Sequence, residues 1–83
     1  MILIYSLIIL TGEFKVYTKW NGKDMWPTID NEGVVYYVSD EFNGQYNLYM
    51  LENGKPKQLS NFKTSISYPN VSSNGKLVVF EKG

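Results

Sequence analysis

The segment Trp26–Gly33, with the sequence WPTIDNEG, returns 42 residues later as Tyr68–Gly75, with the sequence YPNVSSNG. In each segment an aromatic residue precedes proline, a β-branched residue follows two positions after the proline, and glycine ends the segment. The same spacing relates Gly12 to Gly54. A fixed period of this length predicts a chain built from repeated supersecondary units.

Composition decides between strands and helices. Val, Ile, Thr, Tyr, Phe and Trp, which favour strands, make up 30 of the 83 residues, and alanine, the best helix former, is absent. Asn-Gly steps supply tight turns. We therefore predict an all-β chain of eight antiparallel strands: Ile2–Leu10, Glu13–Lys19, Trp26–Asp30, Val34–Ser39, Tyr46–Leu51, Lys55–Ser60, Tyr68–Ser72 and Lys76–Glu81. In this prediction Pro27 and Pro69 lie at strand starts, where a missing N–H does least harm.

The first ten residues, Met1–Leu10, are almost entirely apolar. A secretory signal carries basic residues before its apolar segment, whereas the first lysine of this chain is Lys15. The apolar run is also shorter than the roughly 20 residues that a membrane-spanning helix needs. We therefore interpret it as a buried strand and expect no membrane span. A trimmed signal or a lipid-anchored start is the alternative.

The amino acids that are missing exclude several kinds of chemistry. The chain has no cysteine, histidine or arginine. Disulfides, ordinary zinc sites and nucleophiles activated by histidine are therefore excluded. Eight lysines balance eight acidic residues, which leaves no basic surface typical of nucleic-acid binding. We expect no enzymatic activity, no cofactor or metal, and no nucleic-acid partner.

Two stretches of the chain carry a resemblance to a known repeat. One runs from Ser39-Asp40 through Asn43–Tyr49 to Gly54–Ser60, and the other from Pro69–Lys76 to Val78–Phe80. They resemble the WD-like β-propeller repeat of TolB, tricorn protease and the relatives of prolyl oligopeptidase. Four-stranded repeats of about 40–45 residues are also typical of propeller blades.

The match to this repeat has departures. Ile29 and Val71 replace its aromatic residue, Glu32 and Asn74 replace its aspartate, and Val34 replaces its turn lysine in the first copy. The resemblance covers nearly the whole chain and implies a fold, but one fold hosts many functions.

The resemblance also implies a domain organisation. Residues 1–83 would form a single domain, with a half blade in 1–20, a full blade in 25–60 and a second half blade in 68–83. Two blades cannot close a ring. The chain would then be part of a larger propeller, or three copies would assemble into a six-bladed homotrimer. An ordinary β-sandwich or barrel is the third alternative.

Three aromatic residues, Trp20, Trp26 and Tyr68, are predicted to lie near one rim of such a propeller. They could anchor a peptide or glycan, because Trp and Tyr are typical hot-spot residues. Packing between blades is the simpler interpretation.

Acidic residues supply the other candidate site. Asp40, Glu41 and Asn43 could contribute oxygen ligands to a calcium ion, but no EF-hand spacing is present, and Asp40 more simply shapes its turn. Asp24 and Asp30 could form a carboxylate pair for glycoside hydrolysis. We take Asp24, Asp40 and Glu41 as candidate binding residues and assign no catalytic or metal-ligating residue.

The function predicted from the sequence is a non-catalytic binding or scaffolding module for a protein or peptide. The alternative is an accessory propeller of a peptidase or hydrolase whose catalytic domain lies outside this sequence. The resemblance favours a periplasmic or extracellular location, and a cytoplasmic one is also compatible with a chain that lacks cysteine.

Overall fold

The computed structural model of the chain describes residues 2–7, 11–42 and 44–83. These residues form antiparallel sheets without any helix, as the composition predicts. The eight strands are β1 (Tyr5–Leu7), β2 (Phe14–Val16), β3 (Asp24–Ile29), β4 (Val35–Ser39), β5 (Asn47–Glu52), β6 (Lys55–Gln58), β7 (Ile66–Val71) and β8 (Val78–Lys82). The predicted end of the first strand at Leu10, and the predicted calcium ligand Asn43, lie outside the described residues.

The strands form three sheets. A central four-stranded sheet has the order β3-β4-β5-β6, and the hairpins β1–β2 and β7–β8 each form a two-stranded sheet. Each sheet is antiparallel, and within the described residues none closes on itself.

The two prolines lie inside strands, so their predicted position at strand starts is wrong. Pro27 and Pro69 interrupt β3 and β7, where the register of each strand shifts against its partner. A bulge leaves a residue without a ladder hydrogen bond, so proline is tolerated there. The preceding residues, Trp26 and Tyr68, both have a φ of 53°, which is unusual for aromatic side chains.

The 42-residue repeat is visible in the hydrogen bonds. Thr18 Oγ1 accepts a hydrogen bond from the N–H of Ile4 at 2.9 Å, and Ser60 Oγ accepts one from the N–H of Leu48 at 2.8 Å. The matching backbone bonds, each 2.8 Å, run from Tyr17 N to Ile4 O and from Leu59 N to Leu48 O. Hairpin β1–β2 therefore repeats hairpin β5–β6, and its connection is two residues longer, because the terminal pair Leu7–Phe14 corresponds to Leu51–Pro56.

The other two hairpins are related in the same way. The pairs Asp24–Ser39 and Ile29–Val35 of β3–β4 correspond to the pairs Ile66–Lys82 and Val71–Val78 of β7–β8. The turn between β7 and β8 is one residue longer than the turn between β3 and β4. Both turns use a polar side chain at their start: Asp30 Oδ1 accepts from Val34 N, and Ser72 Oγ accepts from Leu77 N.

The core lies on both faces of the central sheet. On one face Val35, Tyr37 and Tyr49 pack with Ile4, the residue before β1. On the other face Val38 and Leu48 pack with Ile66 of β7, and the rings of Trp26, Phe62 and Phe80 surround this cluster. The strand sequence of β4 and β5 is apolar on both faces because both faces are covered. Within the described residues, no helix is long and apolar enough to cross a membrane.

Candidate functional site

A cavity of about 340 Å³ lies between residues 17–20, which follow β2, and the central sheet. Its walls mix aromatic, acidic and basic side chains: Tyr17, Thr18, Lys19, Trp20, Asp24, Tyr37, Glu41, Gly54, Lys55 and Pro56. Three of the six residues predicted as binding residues, Trp20, Asp24 and Glu41, are brought together here. A fourth, Asp40, is hydrogen-bonded to Trp20.

Asp24 is the unusual member of this group. It is 1% exposed, and neither carboxylate oxygen has a hydrogen-bond partner among the described residues. Burial raises the pKa of Asp24, although the nearby hydroxyls of Ser39 and Thr18 oppose that rise without reaching hydrogen-bond geometry. A buried carboxylate without partners is costly, so the position is held at the expense of stability.

Asp40 joins two parts of the chain that are distant in sequence. Its Oδ1 accepts hydrogen bonds from the Trp20 indole Nε1 at 2.7 Å and from the Lys23 N–H at 2.9 Å. Burial alone would raise the pKa of Asp40, but these two donors outweigh it and lower the pKa. The sequence analysis expected Asp40 to shape its own turn, whereas these two donors come from residues 17 and 20 positions earlier in the chain.

Gly22 makes this contact possible. A Cβ at Gly22 would collide with the Trp20 indole, and it would lie 2.5 Å from Asp40 Oδ1. A larger residue at position 22 would therefore require the Trp20 indole or the Asp40 carboxylate to move.

Glu41 is exposed and lines the cavity without joining a metal cluster. Its N–H donates to Ser39 Oγ at 3.2 Å. No group of three or more acidic side chains that could hold a metal ion occurs among the described residues. What the cavity offers is a buried carboxylate, an exposed one and the aromatic rings of Tyr17, Trp20 and Tyr37.

The aromatic residues Trp26 and Tyr68 lie elsewhere, at equivalent positions of β3 and β7. Their ring centroids are 4.7 Å apart, and the Trp26 ring also packs edge-on against Tyr46. Trp26 packs against the cluster of Val38, Leu48 and Ile66, and so contacts both the central sheet and β7. Tyr68 remains 59% exposed on the outer side of this pair.

Asp24 and Asp30, which the sequence analysis considered as a carboxylate pair without assigning them a catalytic role, do not lie together. Asp24 begins β3, and Asp30 follows its last residue. At about 3.3 Å per residue, six residues of strand separate the two by roughly 20 Å. Asp30 accepts instead from Glu32 N, Val34 N and the Tyr36 hydroxyl, which outweigh the effect of burial and lower its pKa.

Sequence reasoning did not find Tyr17, Tyr37 and Lys55, which come to the cavity from three different strands or their flanks. For Asp24, which was found, the sequence carries a further signal. The 42-residue repeat makes Asp24 equivalent to Ile66, so a charged residue occupies a position that is aliphatic in the other copy. A comparison of the two copies of the repeat therefore singles out Asp24 on the amino-acid sequence alone.

Comparison with protein-family models finds no match for the chain. Comparison with curated proteins finds no significant match either.

Proposed function

We propose that this chain is a β-propeller unit of the TolB and tricorn type that serves as a non-catalytic binding module for a protein or peptide. The observation that carries the proposal is the repetition of strand pairing and side-chain-to-backbone hydrogen bonds at a fixed spacing. In this assignment β3–β6 form a blade, and the two hairpins are halves of its neighbours.

The contacts between the sheets support a propeller arrangement. Blades of a propeller pack face to face around a channel, with their first strands side by side. Here the first strand of the central sheet meets β7 through the Trp26–Tyr68 ring contact. The Val71 N–H also donates to Thr28 Oγ1 at 3.3 Å. Both faces of the central sheet are covered, as blade stacking requires.

The cavity around Asp24 is the proposed seat for the partner. A cationic side chain or terminal ammonium group in this space would lie near the buried carboxylate and lower the cost of its charge. The rings of Tyr17, Trp20 and Tyr37 add faces that attract cations. Lys19 and Lys55 line the same cavity and can donate to a carbonyl or carboxylate of the peptide backbone.

A titration with short peptides tests this function. We expect Gly-Lys-Gly, acetylated at its N-terminus and amidated at its C-terminus, to shift the amide NMR signals of residues that line the cavity. The control Gly-Met-Gly, blocked in the same way and therefore uncharged, has a side chain of similar length and should leave them in place. The variant Asp24→Asn should lose the response to Gly-Lys-Gly because it removes the charge and keeps the shape. Equal responses to both peptides, or a response that survives Asp24→Asn, would contradict the proposal.

A further inference from the structure

We propose that copies of this chain associate head to tail, with β8 of one copy pairing antiparallel with β1 of the next. The result is a composite four-stranded sheet of order β7-β8-β1-β2, in which the last two strands come from the second copy. This inference rests on the propeller assignment proposed above, and it adds the partner, the edge and the register.

The two edges that would meet are open in the described residues. The sheets of the two hairpins contain β1 with β2 and β7 with β8 only, so the far sides of β1 and β8 offer unpaired backbone groups. Such edges are templates for pairing with another chain. In the central sheet the equivalent strands, β4 and β5, are paired with each other.

The register of the new pair follows from the repeat. Hairpin β7–β8 matches β3–β4, and hairpin β1–β2 matches β5–β6. Joining the two hairpins as β4 joins β5 places Phe80 opposite Tyr5, just as Tyr37 lies opposite Tyr49. The other pairs that follow are Val79 with Ser6, Glu81 with Ile4, and Lys82 with Leu3.

The pair at the centre of this register, Phe80 with Tyr5, is aromatic like its equivalent in the central sheet. Tyr37 and Tyr49 stack across β4 and β5 with ring centroids 5.8 Å apart and an interplanar angle of 21°. Phe80 and Tyr5 would bring two aromatic rings to the same cross-strand position. Aromatic pairs of this kind stabilise antiparallel strands.

Exposure of the two hairpins is also explained by the repeat. Tyr5 is 56% exposed, whereas its equivalent Tyr49 is 5% exposed. Val79 is 63% exposed, whereas its equivalent Tyr36 is 6% exposed. Large side chains at positions that are buried in the complete sheet are therefore open in the hairpins, as expected of surfaces that a second copy covers.

One position matches poorly. Glu81 stands where Val38 is fully buried in the central sheet, and Val38 faces Leu48, the equivalent of Ile4. A carboxylate at this place weakens the association, because it must lose water on pairing. The mismatch makes Glu81 the most informative residue to change.

Cysteine cross-linking tests the register directly, since the chain has no cysteine of its own. Opposed residues of antiparallel strands have Cα atoms about 4.5–5.5 Å apart, within the range of a disulfide. We expect a mixture of Phe80→Cys and Tyr5→Cys chains, one of them isotope-labelled, to give a mixed disulfide on oxidation. A mixture of Val79→Cys and Tyr5→Cys chains, one residue out of register, should give at least about tenfold less, because the two side chains point to opposite faces.

Light scattering over a range of concentrations provides a second measurement that needs no cysteine. The variant Glu81→Val should associate at least about tenfold more tightly than the unchanged chain, because it removes a charge from the new core. The control Glu32→Val, in an exposed turn of the central sheet, should leave the association unchanged. Association into particles of three chains would fit a six-bladed ring, and a longer series would indicate an open filament of the same contact.

A 9.6 kDa monomer at every concentration, for the unchanged chain and for Glu81→Val, would overturn the inference. Equal cross-linking of the two cysteine mixtures would overturn the register. Neither result would affect the response to Gly-Lys-Gly, which depends on Asp24 within a single chain. The failure of the assembly and the failure of the binding function are therefore distinguishable.

Discussion

Asp24 and Ile66 begin equivalent strands of the two repeats, and both are 1% exposed. Their effects on the stability of the fold are nevertheless opposite. Ile66 packs with Val38 and Leu48 in an apolar cluster. Asp24 places a carboxylate without hydrogen-bond partners among the described residues beside a cavity. Equivalent positions thus differ between two interfaces. In the first interface, between the central sheet and the β1–β2 hairpin, the position holds a costly charge. In the second interface, between the central sheet and the β7–β8 hairpin, it stabilises the fold.

At a second pair of equivalent positions the polar residue belongs to the second repeat and the apolar residue to the first. Asn47 of β5 is fully buried and holds the segment after β6: its Oδ1 accepts from Phe62 N at 2.7 Å and from Ser60 Oγ at 2.9 Å. Its equivalent in the first repeat is Leu3, which has no polar side-chain atoms. The first interface therefore contains a costly buried charge and lacks the amide bonds that secure the second. This contrast indicates that the second interface is the more stable of the two.

Introducing a carboxylate at Ile66, in the interface between the central sheet and β7–β8, should have the largest effect on the free energy of unfolding. We expect Ile66→Asp to lower the free energy of unfolding by about 4 kcal/mol or to prevent folding, because a carboxylate would enter an apolar cluster. Urea denaturation followed by tryptophan fluorescence measures the change. The control Ile66→Val should cost only about 1 kcal/mol. Full tolerance of aspartate would mean that the two interfaces do not differ in the way described.

Replacing Asn47 with the residue of the first repeat should have the next largest effect. Asn47→Leu leaves Phe62 N and Ser60 Oγ without their acceptor, so we expect a loss of about 2–3 kcal/mol in the same denaturation experiment. A matched change at an exposed asparagine, Asn70→Leu in β7, should alter stability by less than about 0.5 kcal/mol. Comparable losses for the two variants would show that the amide bonds of Asn47 do not secure this interface.

Replacing Asp24 with the residue of the second repeat should give the smallest effect, and of opposite sign. We expect Asp24→Ile to raise the free energy of unfolding by about 1–2 kcal/mol at pH 7, since an uncompensated buried charge disappears.

The gain from Asp24→Ile should depend on pH. Because the pKa of Asp24 is raised by burial, the folded chain holds its proton more firmly than the unfolded chain. Stability from this group is therefore greatest at acidic pH and falls as pH rises through the raised pKa. The difference between variant and unchanged chain should shrink towards pH 4, whereas the contributions of Asp30 and Asp40, whose pKa values are lowered, cancel in that difference. A gain that is constant from pH 4 to pH 8 would contradict the assignment of a raised pKa.

The strand content and the repeat were within reach of the sequence. Branched and aromatic residues specify strands through local geometry, and Pro27 with Gly33 and Pro69 with Gly75 mark the period. The bulges were not predictable in the same way. A proline can begin a strand or interrupt one, and only the pairing of β3 with β4 places Pro27 inside.

Part of the candidate site was predicted as well. Trp20, Asp24, Asp40 and Glu41 were chosen from residue type and loop position, and the structure brings them to one region. The distance between Asp24 and Asp30 was not predictable, because spacing along a chain does not give distance until the strand direction is known. The contact between the rings of Trp26 and Tyr68 was not predicted, because it joins β3 and β7, which belong to different sheets.

By itself the sequence determined that the chain is all-β and built from a 42-residue repeat, because turn residues and side-chain shape act over a few neighbouring positions. Only the tertiary structure decided which copy of each position became core and which became cavity. Asp24 and Ile66 hold equivalent places in the strand pairing, and their roles diverge because Asp24 faces the space beside Tyr17 and Tyr37, whereas Ile66 faces Val38 and Leu48. Burial and cavity formation arise from packing between sheets far apart in sequence, which no local pattern records.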